Sequence, residues 1–333
     1  MDFRTSLQIE KSYIRIEHTT IMMLFGSCFS ENIGRKLKDH KFKVILNPFG
    51  ILYNPLSISN CIKRLLENRQ FNESDIVFNN EIHHSFMHHG CFSDTDKQNC
   101  LKNINDEYVI SSEFIKDTEL FLITFGTAYA FKLKSNHQIV SNCHKFPANN
   151  FIRFRLTVDE IVDEWSNLIE QFINNNSNVK FIFTVSPIRH LKDGAHDNQI
   201  SKSILHIAIE NLKNRFRNFV EYFPAYEIMI DELRDYRFYN EDMIHPTSLA
   251  QDYIWQSFSG MFFSEETKKI NSEWNFIKKS IDHRPLYTET QAYHKFIINT
   301  IKSTESFAKR YPQLSCEEEL KQLSGLLEKA NNI

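Results

Sequence analysis

Residues 20–37 read TIMMLFGSCFSENIGRKL. An apolar run over 21–25 meets Gly26-Ser27-Cys28, and Phe29, Ile33 and Leu37 then recur four apart. That pattern predicts a strand, a sharp turn and a helix. It puts Ser27 at the carboxyl end of the strand and the amino end of the helix. Unpaired N–H groups and the helix dipole favour an anion at that place. A serine there suits a nucleophile whose oxyanion meets nearby N–H groups. It equally suits an ordinary N-cap, and the tripeptide alone does not choose.

Working outward, strand-like and helix-like segments alternate from residue 20 to about 260. Residues 1–19 read as a polar lead-in. A short apolar run at 42–46 precedes Asn47-Pro48-Phe49-Gly50, and a helix carrying Ile58, Cys61 and Ile62 follows. Residues 76–93 read as a loop or hairpin insertion. The run at 120–124 is continuously apolar up to Thr124, as a strand buried on both faces is. It ends in Phe125-Gly126-Thr127, after which 128–147 read as a strand pair. Thr157 and Glu160 form a capping box for the next helix.

Another buried strand at 179–185 ends at Ser186-Pro187. The polar stretch 188–199 reads as a loop before a helix striped by Ile204, Ile207, Ala208, Leu212 and Phe216. Residues 223–230 read as the last strand. Glu241-Asp242-Met243-Ile244-His245-Pro246 precedes a helix near Thr247. Beyond 263 the pattern is helical to the end. The alternation predicts a parallel sheet with helices on both faces. Its active site belongs beyond the carboxyl ends of the strands, where Ser27, Gly50, Thr127, Ser186 and His245 converge.

Composition narrows the function. With 41% hydrophobic and 13% aromatic residues, the 333-residue chain can bury a large core. A net charge of -3 argues against nucleic acid or an anionic membrane as partner. No apolar run approaches the roughly 20 residues of a membrane span. The start, MDFRTSLQIEKSY, lacks a signal-peptide block. Six cysteines without a C-x-x-C pair make no disulfide framework, so a cytoplasmic, reduced protein is expected.

Asp242-x-x-His245 is the strongest local pair. Three residues apart in one turn, the carboxylate can accept the imidazole N–H and leave the other ring nitrogen as a base. The bland alternative is a solvated loop before a helix. Cys28, just inside the helix, reads as a small core residue. His83, His84, His88 and His89 tempt a zinc reading, but no carboxylate or cysteine completes the set at helical spacing. Lining of a substrate cleft is the preferred reading, with no metal. Asn142, His144, Arg189 and His190 end apolar runs and are candidates for the same cleft or for exposed loops.

The blocks Gly26-Ser-Cys-Phe-Ser30, Asn47-Pro-Phe-Gly50, Phe125-Gly-Thr-Ala128, Asn142-Cys-His-Lys145, Ser186-Pro-Ile-Arg-His190 and Asp242-Met-Ile-His-Pro246 together resemble the GSCFA domain family, a bacterial branch related to the SGNH (GDSL-like) hydrolases. The resemblance spans about 2–260 and leaves 263–333 as a helical carboxyl-terminal extension after a domain of residues 1–262. It implies a three-layer α/β/α, flavodoxin-like fold and ester hydrolysis or acyl transfer. Ser27 is then the nucleophile, His245 the base and Asp242 its orienting acid. Ser27 and Gly50 are the implied N–H donors of an oxyanion hole.

One block departs from the wider pattern. Gly126-Thr127-Ala128 stands where SGNH enzymes carry Gly-x-Asn-Asp. Thr127 or Asn142 would have to replace that asparagine, whose loss costs about 2.7–4 kcal/mol in comparable enzymes. His144, Ser186, Arg189 and His190 are then substrate-binding candidates.

The leading expectation is a serine esterase or O-acyl hydrolase acting on an acylated saccharide or another small-molecule ester, with no cofactor. The alternatives are an acyltransferase using a thioester donor such as coenzyme A, with Arg189, His190 and Lys192 on its phosphates, or a non-catalytic carbohydrate-binding module. The oligomeric state is not legible.

Overall fold

The structure, a computed structural model, describes residues 5–331. The outermost residues of the two expected domains, 1–4 and 332–333, lie outside the described residues. The chain begins with β1 (Ile21–Gly26), α1 (Cys28–Asp39), β2 (Lys43–Leu46), α2 (Pro55–Leu66), β3 (Val77–Asn79), β4 (Ile82–His84) and α3 (Lys97–Phe114). β5 (Leu120–Phe125), β6 (Tyr129–Leu133), β7 (Ile139–Val140), β8 (Phe151–Arg155) and α4 (Val158–Asn175) follow. Next are β9 (Lys180–Val185), α5 (Ala195–Arg215), β10 (Val220–Tyr222) and α6 (Ala225–Glu227). Four helices close the chain: α7 (Ser248–Phe262), α8 (Glu265–Ile281), α9 (Gln291–Arg310) and α10 (Glu317–Asn331).

This is an α/β protein. Its main sheet has the spatial order β2-β1-β5-β9-β10. The pairs β1–β5, β5–β9 and β9–β10 are parallel. Among these five strands the order is that of doubly wound, flavodoxin-type sheets, whose ligand crevice opens where the chain reverses direction across the sheet. Here that point lies between β1 and β5.

Successive strand residues point to opposite faces. Met23, Phe25, Phe121, Ile123, Phe181 and Phe183 share one core with Ile58 and Ile62 of α2, Trp165 and Ile169 of α4, and Leu205 and Leu212 of α5. Met22, Leu24, Leu122 and Ile182 alternate with them and are also buried. Both faces of the sheet are therefore covered, which is why its strands read as unbroken apolar runs. The Thr157–Glu160 capping box opens α4 as expected. Among the described residues no helix is long and apolar enough to cross a membrane.

The chain forms two compact units. One comprises residues up to 14 with 21–36 and 44–261; the other comprises 15–20, 37–43 and the described residues from 262 on. In the first, Ser12 donates its N–H to Met261 O at 3.0 Å and Ile14 is buried. Residues 12 and 14 of the expected polar lead-in are thus tied into this unit. In the second, Trp274, Ile277, Ile297, Phe307 and Leu323 form a core. Trp274 donates to Asp39 O at 2.7 Å, and His18 stacks on Phe42 and bonds Asn271.

Three more expectations are corrected. The last strand is β10 at Val220–Tyr222, not 223–230. Pro224 cannot donate to a strand ladder, and Ala225, Ile228 and Met229 recur at helical spacing, so this run turns into α6 and a wider turn after it. β8 joins β6 and β7 in a three-stranded sheet where a strand pair was expected. Its sequence FIRFR alternates, and Arg153 lies over the Tyr129 ring at 3.8 Å. α5 begins at Ala195, inside the stretch read as loop.

Gly26 marks where β1 and β5 meet most tightly. Its φ is +145°, and a Cβ there would stand 2.4 Å from Thr124 O. Only glycine fits both demands. Gly26→Ala is expected to lose about 1–3 kcal/mol of stability, read as a lower urea midpoint at unchanged slope.

Candidate active site

The site is built from the carboxyl ends of three neighbouring strands. Gly26 pairs with Thr124 and Phe125 with Val185, so Ser27, Gly126 and Ser186 all follow directly on that edge. Ser27 Oγ donates to Ser186 Oγ at 3.1 Å and accepts the Phe29 N–H at 3.3 Å. It therefore does cap α1, and it faces a second serine as well. Ser27 is only 2% exposed and Ser186 is fully buried. Ser186 Oγ also accepts the Ile188 N–H at 3.3 Å.

Loops tie the edge down. Asn47 Oδ1 accepts the Gly26 N–H at 2.9 Å, while its own N–H donates to Leu24 O. Tyr53 O accepts the N–H groups of Gly126 and Thr127 at 2.7 and 3.0 Å. The most consequential tie was not anticipated. Lys202 of α5 is fully buried, and its Nζ donates to Gly126 O at 2.7 Å and to Ser186 O at 2.8 Å. Burial pushes this ammonium down to about 7, opposed by Cys28.

Two more buried α5 residues share its face. Asn198 Oδ1 accepts the His190 N–H at 2.8 Å. Ser201 Oγ accepts the Ala128 N–H at 2.8 Å and bonds Thr127 Oγ1 at 3.1 Å. The buried stripe of α5 runs Asn198, Ser201, Lys202, Leu205, Ala208, Ile209, Leu212. Ile207, expected in the stripe, is instead exposed. Extending the correct stripe back toward the helix start would have pointed to Lys202.

Asp242 and His245 form the local pair the sequence suggested. Asp242 Oδ2 meets His245 Nδ1 at 2.5 Å, and Asp242 Oδ1 accepts the N–H groups of Ile244 and His245 at 2.9 Å each. The turn is closed by Asn240, which accepts from Met243 N–H and donates to His245 O. Met243 takes a positive φ of 58° to make it. Hydrogen bonds from the His245 N–H, the His245 ring and the Ile244 N–H hold the Asp242 carboxyl down at about 2. The His245 side chain is 47% exposed.

His190 stands at the strand edge, within electrostatic reach of His245. A Cβ on Gly126 would lie 3.5 Å from its Nε2, and its ring packs edge-on to Tyr53. Burial, then Lys202, push it down to about 4, with Arg153 and His245 adding to the effect against Asp193. His190 is thus neutral at pH 7. Among the described residues no hydrogen bond joins Ser27 to His245.

Other expected site residues are committed elsewhere. The Gly50 N–H donates to Asn47 O at 2.7 Å inside the turn, which takes it from the expected oxyanion role in this structure. Thr127 Oγ1 is shared between Ser201 and the Tyr129 N–H. Asn142 Oδ1 accepts the His144 N–H, and buried His144 bonds Ser85 O through Nε2 and stacks on His84. Arg189 is half-buried, and its charge acts on Tyr226.

His88 is a core residue rather than a cleft residue. It packs among Phe49, Phe71 and Phe92, and burial pushes it down to about 3. Cys28 is half-buried rather than core, within electrostatic reach of Tyr53 and Lys202, and burial raises its thiol. Among the described residues no three His, Cys, Asp or Glu side chains gather to hold a metal ion.

Comparison with known families adds a decisive match. The GSCFA family matches residues 21–258, more than half of the chain. The chain belongs to the GSCFA family. The carboxyl-terminal domain of GSCFA domain proteins matches residues 274–329. No curated protein matches this GSCFA chain.

The Asp242 geometry gives a direct test. Its lowered pKa means the carboxylate stabilises the fold above the ordinary 3.8, a contribution lost as pH falls through about 2. Carbon-13 NMR is expected to show Asp242 titrating near 2. In His245→Ala it should rise yet stay below 3.8, because the two backbone donors persist.

Proposed function

We propose that this GSCFA protein is a serine hydrolase with an SGNH-like active site, cleaving an ester of an acylated saccharide or another small molecule. The observation that carries the reading is the Asp242–His245 pair. One carboxylate oxygen holds the ring through Nδ1 while the other is fixed by two backbone N–H groups. Nε2 is thereby left as the base. The second support is a serine at the start of a helix, on the edge where such sheets bind ligands.

In the proposed reaction Ser27 Oγ attacks the acyl carbon and His245 Nε2 takes its proton. The oxyanion meets the amide of Ser27, which caps α1, and that of Cys28, the first of α1 and without an acceptor within the helix. His245 returns the proton to the departing alcohol, and a water deprotonated by His245 then releases the acid. The Ser27 hydroxyl must turn from Ser186 toward Nε2 when substrate binds. Catalytic hydrogen bonds often tighten only in the complex. Exposed Tyr236 and Met243, near the Asp242–His245 turn, offer apolar surface to a sugar ring.

Transfer from a coenzyme A thioester draws less support. Phosphates need cations, and of the three residues expected on them, Arg189, His190 and Lys192, His190 is neutral at pH 7.

A fluorophosphonate probe is expected to label the wild type at Ser27 and to leave Ser27→Ala unlabelled. With p-nitrophenyl acetate, Asp242→Asn should lower kcat by about 10⁴ and His245→Ala by a similar factor. A wild type that is neither labelled nor active on short-chain esters would remove the hydrolase reading and leave a binding module.

A further inference from the structure

A lysine buried without a carboxylate is expensive unless something in the site uses its charge. Lys202 is fully buried, and its hydrogen-bond partners are two main-chain carbonyls, Gly126 O and Ser186 O. These carbonyls end adjacent strands, and Ser186 carries the hydroxyl bonded to Ser27 Oγ. The Ser186 N–H is fixed in turn by Phe125 O at 2.8 Å. Ser186 is therefore held from both sides of its backbone, and its Oγ accepts from Ser27 Oγ and the Ile188 N–H. An ammonium has three donors, of which two are spent on carbonyls.

We propose that Lys202 is a positioning residue for the nucleophile: its ammonium clamps the ends of β5 and β9, sets Ser186 Oγ against Ser27 Oγ, and supplies a buried positive charge behind the oxygen that becomes negative during reaction. The inference rests on the reading of Ser27 as nucleophile. The groups facing Lys202 leave its charge for that purpose. They are the Cys28 thiol from α1, His190 from the loop before α5, His206 one turn along α5, and the Tyr226 ring at 5.7 Å from Nζ. Burial raises the Cys28 thiol and leaves both histidines as neutral rings at pH 7, so of these groups only Cys28 acts to keep the ammonium charged.

Labelling by a fluorophosphonate isolates this step. Ser27 Oγ forms a bond to phosphorus, the P–F bond breaks, fluoride leaves and the serine proton passes to His245. The rate in the wild type should fall as pH rises through about 7, because Lys202 gives up its proton there. Lys202→Met should label roughly 100-fold more slowly and lose that alkaline fall. Lys202→Arg keeps the charge, so it should recover much of the rate and stay flat at alkaline pH.

A purely structural lysine would lower the melting temperature in Lys202→Met but leave the shape of the pH profile as in the wild type. That result, or labelling of Lys202→Met at the wild-type rate, overturns the proposal. Should Lys202→Met fail to fold, the wild type still decides: a rate that does not fall between about pH 7 and about pH 9.5 is incompatible with a titrating lysine behind Ser27. Absence of labelling in the wild type sinks the nucleophile reading and this one with it. Normal labelling with an unaffected Lys202→Met sinks this one alone.

Discussion

Covering a parallel sheet on both faces leaves polar chemistry only the line where its strands stop. In this protein the alternating residues of β1, β5 and β9 are buried on either side, with no water-facing surface between them. Every N–H and C=O released at that line must find a partner in loops or helices. The partners are Asn47 for Gly26, Tyr53 for Gly126 and Thr127, Ser201 for Ala128, and Lys202 for Gly126 and Ser186. The candidate site is this set of satisfied edge groups, with Ser27 at its β1 end. Its architecture follows from hydrogen-bond completion at the switch point before any catalytic demand is considered.

That origin explains what could be read from the sequence and what could not. The strands were legible because burial on both faces makes them unbroken apolar runs. The Asp242–His245 pair was legible because its partners are three residues apart in one turn. The Ser27–Ser186 bond joins residues 159 apart, and nothing local to either predicts it. Lys202 was hidden for a different reason. A lysine on a helix usually marks the solvated side, and the apolar stripe of α5 was placed on Ile204 and Ile207. The stripe runs through Leu205, Ala208 and Ile209, which carries Lys202 inward. The apolar run 223–230 resembles a strand, but Pro224 ends β10 ahead of it and the run turns helical.

The oxyanion question is sharpened by the same accounting. Where the SGNH pattern has Gly-x-Asn-Asp, Thr127 shares its hydroxyl with Ser201 and the Tyr129 N–H, and the Gly50 amide closes its own turn. These are groups tied into scaffold. In the proposed reaction the donors for developing charge are the amide of Ser27, which caps α1, and that of Cys28, since a helix start has no acceptors for its first N–H groups. A hole made of two amides loses the contribution of a third donor, about 2.7–4 kcal/mol where such a donor has been removed elsewhere.

On the proposed reading of Ser27 as nucleophile, a buried charge near it offsets part of that loss. Electrostatic stabilisation grows as the dielectric falls, so an ammonium enclosed behind Ser27 acts more strongly than one at the surface. His190 and His206 are pushed toward neutrality partly by Lys202 itself, which keeps the histidines beside it from competing as cations. The edge thus holds the interior ammonium of Lys202, two carbonyls that accept from it and, on one of those residues, the hydroxyl bonded to Ser27. On this view the departure at Gly126-Thr127-Ala128 and the lysine of α5 belong together: where a side-chain amide no longer faces the oxyanion, stabilising charge enters from beneath the strands instead of from the rim.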